Sequence, residues 1–315
     1  MTTSNPAAAG FVLAATLALC GCVATPVQQL TQQWPAELPT HAQLNNTPFI
    51  AQDDYECGPA ALAMLLQAAG VSVQPEQLRP QVFIPGRQGS LQIEMMVAAR
   101  RHGLPAYRLQ PTLETLMREV AAGHPVLVFQ NLSLPIYPVW HYAVVIGYDR
   151  DDSTLTLHSG STPGLTMSLS AFERTWARGD HWAFVALPTS TLPSTADADT
   201  LGTAIVALER LNPAAALPAY RTALQRWPDA LVLQMGLGNS AYAAGDPTLA
   251  ATAYRAATQS HPQAADAWNN LAQVLMEQGA LGAARHAIEQ AIAIGGPRLA
   301  LYQQLARSLD AEGTP

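Results

Sequence analysis

The residues best suited to chemistry lie in "QDDYECGPAALAML", residues 52–65. Cys57 stands there with Gly58 and Pro59 after it and Gln52 before it. A thiolate attacks a carbonyl carbon, whereas a thiol hardly does. Pro59 in a first turn and Gly70 as a stop predict a helix from Cys57 to Ala69. A helix N-terminus and a nearby imidazolium both favour the thiolate, and together bring a cysteine pKa to roughly 3.5–7.5 from about 8.5. Gly58 leaves room for a substrate to approach the backbone. Gln52 offers a side-chain N–H to a developing oxyanion, beside the backbone N–H of Cys57.

The base for such a thiol is a histidine near in space, not in sequence. The chain has eight. His41 falls in a Gln- and Pro-rich stretch, His261 and His286 in the helical C-terminal half, and His102 at a helix end. His124 and His181 precede strands at turn positions, and His158 sits inside a strand-like run. His141 opens the strand-like "HYAVVIGYD" after the aromatic-rich loop "NLSLPIYPVW", a place where a cleft residue belongs. The sequence has no Cys-x-x-Cys and no histidine pair at helical spacing, so zinc is not expected. No cofactor is expected either.

Taken together, "QDDYECGPAALAML" and "HYAVVIGYD" resemble cysteine peptidase family 39, papain-like peptidases best known for cutting bacteriocin leader peptides after double glycine. The resemblance covers about residues 46–160. It implies Cys57 as nucleophile, His141 as general base and Gln52 as oxyanion donor. The family usually carries an aspartate on the strand after the histidine. Here that stretch reads "TLTLHSGSTPG", and the matching position is His158 or Ser159, with no carboxylate. Asp149, Asp151 and Asp152 belong to the turn before it. A serine hydroxyl orients an imidazole more weakly than a carboxylate does. The family's leader peptidases are usually fused to a transporter and an ATPase, which this chain lacks, so double-glycine cleavage is not expected.

These residues need elements to hold them. Besides the Cys57 helix, "SLQIEMMVAARRHG" reads as a helix with Ser90 as N-cap and Gly103 as stop. "TLETLMREVAAGHP" reads as another. Then the period changes: "PVLVFQN", "HYAVVIGYD", "STLTLHS" and "HWAFVAL" are β-branched and aromatic runs bounded by turns. Helices first and antiparallel strands later is an α+β order, expected over residues 46–188. Residues 189–200, rich in Pro, Ser and Thr, read as a linker.

Residues 201–313 are helical and repeat. Gly238, Gly245, Ala250, Tyr254 and Ala257 recur thirty-four positions on as Ala272, Gly279, Ala284, Ile288 and Ala291. Ala216, Tyr220, Ala223 and Pro228 stand thirty-four positions before Ala250, Tyr254, Ala257 and Pro262. That period and composition resemble tetratricopeptide repeats, with "LALYQQLARSLD" as a capping helix. The expected fold is therefore a papain-like α+β domain followed by an all-α tetratricopeptide-repeat solenoid. Such stacks leave a concave groove that takes a polypeptide substrate or a partner protein.

At the other end, "AAAGFVLAATLALCGC" reads as a secretory h-region. Leu19-Cys20-Gly21-Cys22 resembles a lipoprotein signal box, with Cys22 as the lipidated residue. No aspartate follows, which implies the outer membrane of the envelope. Residues 1–22 are expected to be signal and lipobox, and residues 23–45 a tether. Membrane contact then runs through the lipid, leaving Cys57 the lone thiol.

Net charge and lysine content exclude other classes. A net charge of -7 argues against nucleic acid, which needs a basic patch. All sixteen basic residues are arginine, which excludes a P-loop for ATP and Schiff-base chemistry. The expected function is an exported, lipid-anchored thiol peptidase acting on an envelope polypeptide. The alternatives are a catalytically weak peptide-binding scaffold and a thiol acyltransferase or amidase on the same fold.

Overall fold

The computed structural model describes residues 25–52 and 56–312. The expected signal segment with Cys20 and Cys22 lies outside those residues, as do Asp53, Asp54 and Tyr55 of the cysteine motif. Among the described residues, no helix is long and apolar enough to cross a membrane.

The N-terminal half is built on a seven-stranded antiparallel sheet. Its central strand is β6 (Trp140–Asp149), which pairs with β5 (Val126–Asn131) on one side and β7 (Thr154–Ser159) on the other. Outside these lie β9 (Ala183–Ala186), β4 (Ala106–Arg108) and β8 (Thr162–Ser168). The run "YAVVIG" is apolar at every position because both faces of β6 are covered. Tyr142, Val144 and Ile146 face one core with Leu62, Leu65 and Leu66 of α2 (Cys57–Ala68). Ala143 and Val145 face the other, with Leu116 and Met117 of α5 (Leu113–Ala121) and Phe172 and Trp176 of α6 (Leu169–Ala177).

Three expectations need correction here. Residues 26–43 are not a tether. Thr25 and Gln28 form a capping box that starts α1 (Pro26–Gln32), and Val27 and Leu30, three apart on one helix face, enter the core. Strand β1 (His41–Gln43) then pairs with the far half of β6. There it lies so close to Gly147 that a Cβ would stand 2.2 Å from Gln43 Oε1. Secondly, Ser90 is not an N-cap. It sits in β3 (Gly89–Ser90), paired with β2 (Phe83–Ile84) after α3 (Pro75–Val82), and Leu91 takes the N-cap position of α4 (Gln92–Arg101) without a side-chain cap.

The third concerns residues 189–200. They are pinned to the sheet domain, not slack. Glu119 is fully buried, and its carboxylate accepts from Ser194 N, Thr195 N and Thr195 Oγ1, and pairs with His124 Nδ1 at 2.7 Å. Burial alone pushes this carboxyl up, but the hydrogen bonds from His124 and Thr195 outweigh it and hold it below the usual range. Tyr107 Oη donates to Thr195 O.

Seven helices follow: α7 (Ala198–Glu209), α8 (Pro213–Arg226), α9 (Leu231–Ala243), α10 (Pro247–Ser260), α11 (Ala265–Glu277), α12 (Leu281–Ile294) and α13 (Leu299–Glu312). The small residues of the repeat have a steric reason. A Cβ on Gly238 would stand 2.3 Å from the Tyr254 ring, and one on Gly236 equally close to Tyr220. One unit on, Ala272 and the slimmer Ile288 replace Gly238 and Tyr254. Leu201, Ile205, Leu208 and Tyr220 share a core with Tyr107 and Leu109 of the sheet domain. The repeats are thus docked on the first domain through a common apolar interior.

Candidate active site

Cys57 is half-buried at the first turn of α2. Glu56 occupies the N-cap position but makes no side-chain cap there; its carboxylate pairs with Arg79 instead. Pro59 has no N–H. The amides of Cys57 and Gly58 therefore remain the orphan donors of this helix end, and both lie against the thiol, as does the Tyr142 backbone N–H. Cys57 thus faces the strand position next to His141.

Gln52, Cys57, His141 and Tyr142 line one cleft of about 930 Å³. Its walls are residues 87–92 around the β2–β3 hairpin, residues 138–140 leading into β6, and Gly179–Asp180 before β9. Of the eight histidines, His141 alone lines it. His41 pairs with Asp149, His124 with Glu119 and His181 with Glu173. His102 Nε2 meets Gln81, His261 meets Asp229 O, and His286 packs edge-on against Trp268.

The two candidate orienting residues separate cleanly. His141 Nε2 lies 2.8 Å from Ser159 Oγ. His158 points elsewhere: its Nε2 meets Thr47 O at 3.1 Å, Gly164 N donates to its Nδ1, and Phe49 packs edge-on against the ring. Alternation along β7 puts adjacent residues on opposite faces, so only one of the pair reaches the imidazole. With Nε2 engaged by Ser159, Nδ1 is the ring nitrogen left to take a thiol proton.

Gln52 is held by three bonds. Its backbone N donates to Gly160 O at 3.0 Å, its Oε1 accepts from Gly160 N at 3.0 Å, and its Nε2 donates to Tyr142 O at 3.4 Å. The side chain bridges the gap where β6 and β7 part company beyond Val144 and His158. An amide nitrogen carries two hydrogens, so one remains for an oxyanion.

Two details differ from the sequence expectation. Gly58 is buried and does not line the cleft; what approaches it is Ser90, whose Oγ would stand 2.2 Å from an added Cβ. The resting thiol is also not acidic. Burial pushes the Cys57 thiol up, and the three neighbouring amides offset this only in part. Burial likewise pushes His141 down. Both shifts favour a neutral thiol and a neutral imidazole in the one cleft, because the site is drier than a lone helix N-terminus suggests.

Residues 36–180 match the family model described as the Peptidase_C39 like family, and residues 201–248 and 235–300 match that of the tetratricopeptide repeat. No curated protein matches the chain. A solved structure from Bacillus anthracis, described as that of a C39-like peptidase, aligns with a TM-score of 0.40 at 20% identity, over 47% of this chain and 98% of that one. The match to residues 36–180 begins before the expected boundary at residue 46, within the segment that β1 adds to the sheet. Residues 36–180 thus match a Peptidase_C39-like domain, and residues 201–300 match tetratricopeptide repeats.

Proposed function

We propose that this protein is an exported, lipid-anchored thiol peptidase that hydrolyses peptide bonds in an envelope polypeptide. The observation that carries the catalytic part is one cleft lined by Cys57 at a helix N-terminus, by His141 at the start of β6, and by Gln52, whose side-chain amide has an N–H to spare. The sequence "LALCGC" supports export and the anchor.

The reaction starts from the neutral pair. As Cys57 Sγ attacks the peptide carbonyl, its proton passes to His141 Nδ1, so thiolate forms only while it is consumed. The carbonyl oxygen gathers charge against the Cys57 N–H and the Gln52 side chain. The C–N bond breaks as His141 returns the proton to the leaving amine. Water then attacks the thioester, gives a proton to His141, and frees the acid and the thiol. Ser159 keeps the imidazole ring in plane for both transfers.

Tetratricopeptide repeats in general mediate protein–protein contacts. Here the array carries a groove of about 610 Å³ lined by Asn239, Asn270, Gln273, Tyr242 and others. Its uncharged amides suit a polypeptide main chain, so the groove is read as the holder of the substrate or a partner.

A peptidyl epoxide of an apolar tripeptide tests the reading. Mass spectrometry should find the adduct on Cys57 in wild type, with labelling at least tenfold slower in His141→Ala. An unmodified Cys57, or equal labelling in both proteins, defeats it.

A further inference from the structure

The segment joining β5 to β6 is unusual for a soluble surface. Leu134, Ile136, Tyr137, Val139 and Trp140 are all more than half exposed, Ile136 and Tyr137 at 75%. No charged residue occurs between Phe129 and Trp140. Scattered apolar residues on a surface need no explanation, but a contiguous patch does.

The segment is also stiff at its base. Buried Asn131 accepts from Ser133 N and Val139 N through Oδ1, and its carbonyl takes both Arg178 Nε and Nη2. Leu132 N donates to Val139 O. The tip is thus held out from the sheet as a fixed apolar prong.

Its inner side belongs to the cleft. Pro138, Val139 and Trp140 line the space that holds Cys57 and His141. Trp140 stacks on Phe129 at 5.1 Å with an interplanar angle of 11°, and Phe129 meets Tyr142 at 4.8 Å. An aromatic surface therefore runs from the strand position facing the thiol to the solvent. Trp140 stands two strand positions from Tyr142, roughly 7 Å along the backbone. An extended substrate covers that length in about two residues.

We infer that residues 132–140 form an apolar subsite, with Trp140 as its floor, selecting polypeptides with a bulky apolar side chain within about three residues of the scissile bond. This rests on the peptidase reading for the bond, though not for the binding. Continuity with the cleft names the occupant: Pro138, Val139 and Trp140 line the same space as Cys57, so a chain lying over Cys57 has this surface within reach.

The test uses the full chain and synthetic decapeptides that differ only by Leu or Ser at each position in turn. Wild type should cut the peptide with Leu at one fixed position at least about tenfold faster than its Ser counterpart, and Trp140→Ala should collapse that ratio towards one. Equal cleavage of all peptides overturns the subsite and leaves the peptidase standing. If wild type cuts none, the peptidase reading fails, and binding of the same peptides to Cys57→Ala by fluorescence anisotropy decides: tenfold tighter binding with Leu supports the subsite, equal binding overturns it. Sedimentation with phosphatidylcholine vesicles, lost in Ile136→Ser and Trp140→Ala, without peptide discrimination, assigns the prong to a lipid surface and likewise overturns it.

Discussion

Ser159 Oγ lies 2.8 Å from His141 Nε2 and so occupies the place from which a carboxylate would orient the imidazole. A hydroxyl accepts the Nε2 proton but carries no charge to stabilise an imidazolium. The imidazole is therefore oriented without being made more basic, consistent with burial holding His141 below its usual value. Ser159→Ala should lower kcat roughly fivefold, the worth of about 1 kcal/mol of hydrogen bonding, with little change in KM. Ser159→Asp should raise the apparent pKa of the acid limb, which a purely structural role would not do. Both are read from pH profiles of kcat/KM.

On the proposed mechanism, the neutral resting pair sets the pH range of activity. His141, held down by burial, stays unprotonated and able to accept a proton to below the ordinary histidine value of about 6.5. Cys57, pushed up by burial, stays a thiol to above about 8.5. The profile should be a broad plateau across neutral pH, its acid limb below about 6.5 and its basic limb above about 8.5. Iodoacetamide should accordingly label Cys57 slowly at pH 7, speeding up only above pH 8.5.

Gly58→Ala should damage the cleft wall without touching the substrate. The new Cβ would meet Ser90 Oγ at 2.2 Å and Ser90 Cβ at 2.7 Å, in a place where α2 and the β2–β3 hairpin are packed. Overpacking of this kind costs about 1–3 kcal/mol, measurable as a fall in the urea midpoint. Ser90→Gly in the same chain should recover most of it.

Glu119→Gln should loosen the junction between the two domains. The native carboxylate is held below its usual range, so its contribution is complete above the unfolded value of about 4.3 and is lost as pH falls through the lower folded value. The variant should lose about 2 kcal/mol at pH 7, in line with hydrogen bonds to a charged group. Its stability should also depend less steeply on pH between 5 and 3 than wild type, as followed by thermal melts.

Much of this was legible because the chemistry is local in sequence. Pro59 and Gly70 bound the Cys57 helix, and "HYAVVIGYD" announced a buried strand with His141 at its mouth. The repeat came from spacing alone, since Gly238 and Tyr254 must recur together to fit. What stayed hidden depends on long-range pairing. Nothing in "PVQQLTQQW" or "HAQ" announces that Val27 and Leu30 enter a core or that His41–Gln43 edges β6. The linker composition of residues 189–200 concealed the buried Glu119 that fixes it. Whether Ser159 or His158 reaches His141 turns on strand register, and the thiol's raised pKa on how dry the cleft is. Neither can be read from residue types.

The central claim is that Cys57 and His141 together cleave peptide bonds. A digest of a mixed peptide library by wild type, Cys57→Ala and His141→Ala, followed by mass spectrometry of new termini, addresses it most directly. The account predicts cuts by wild type, none by Cys57→Ala, and rates at least about a hundredfold lower for His141→Ala. New termini at undiminished rate with Cys57→Ala, or an intact library after wild type, would contradict it.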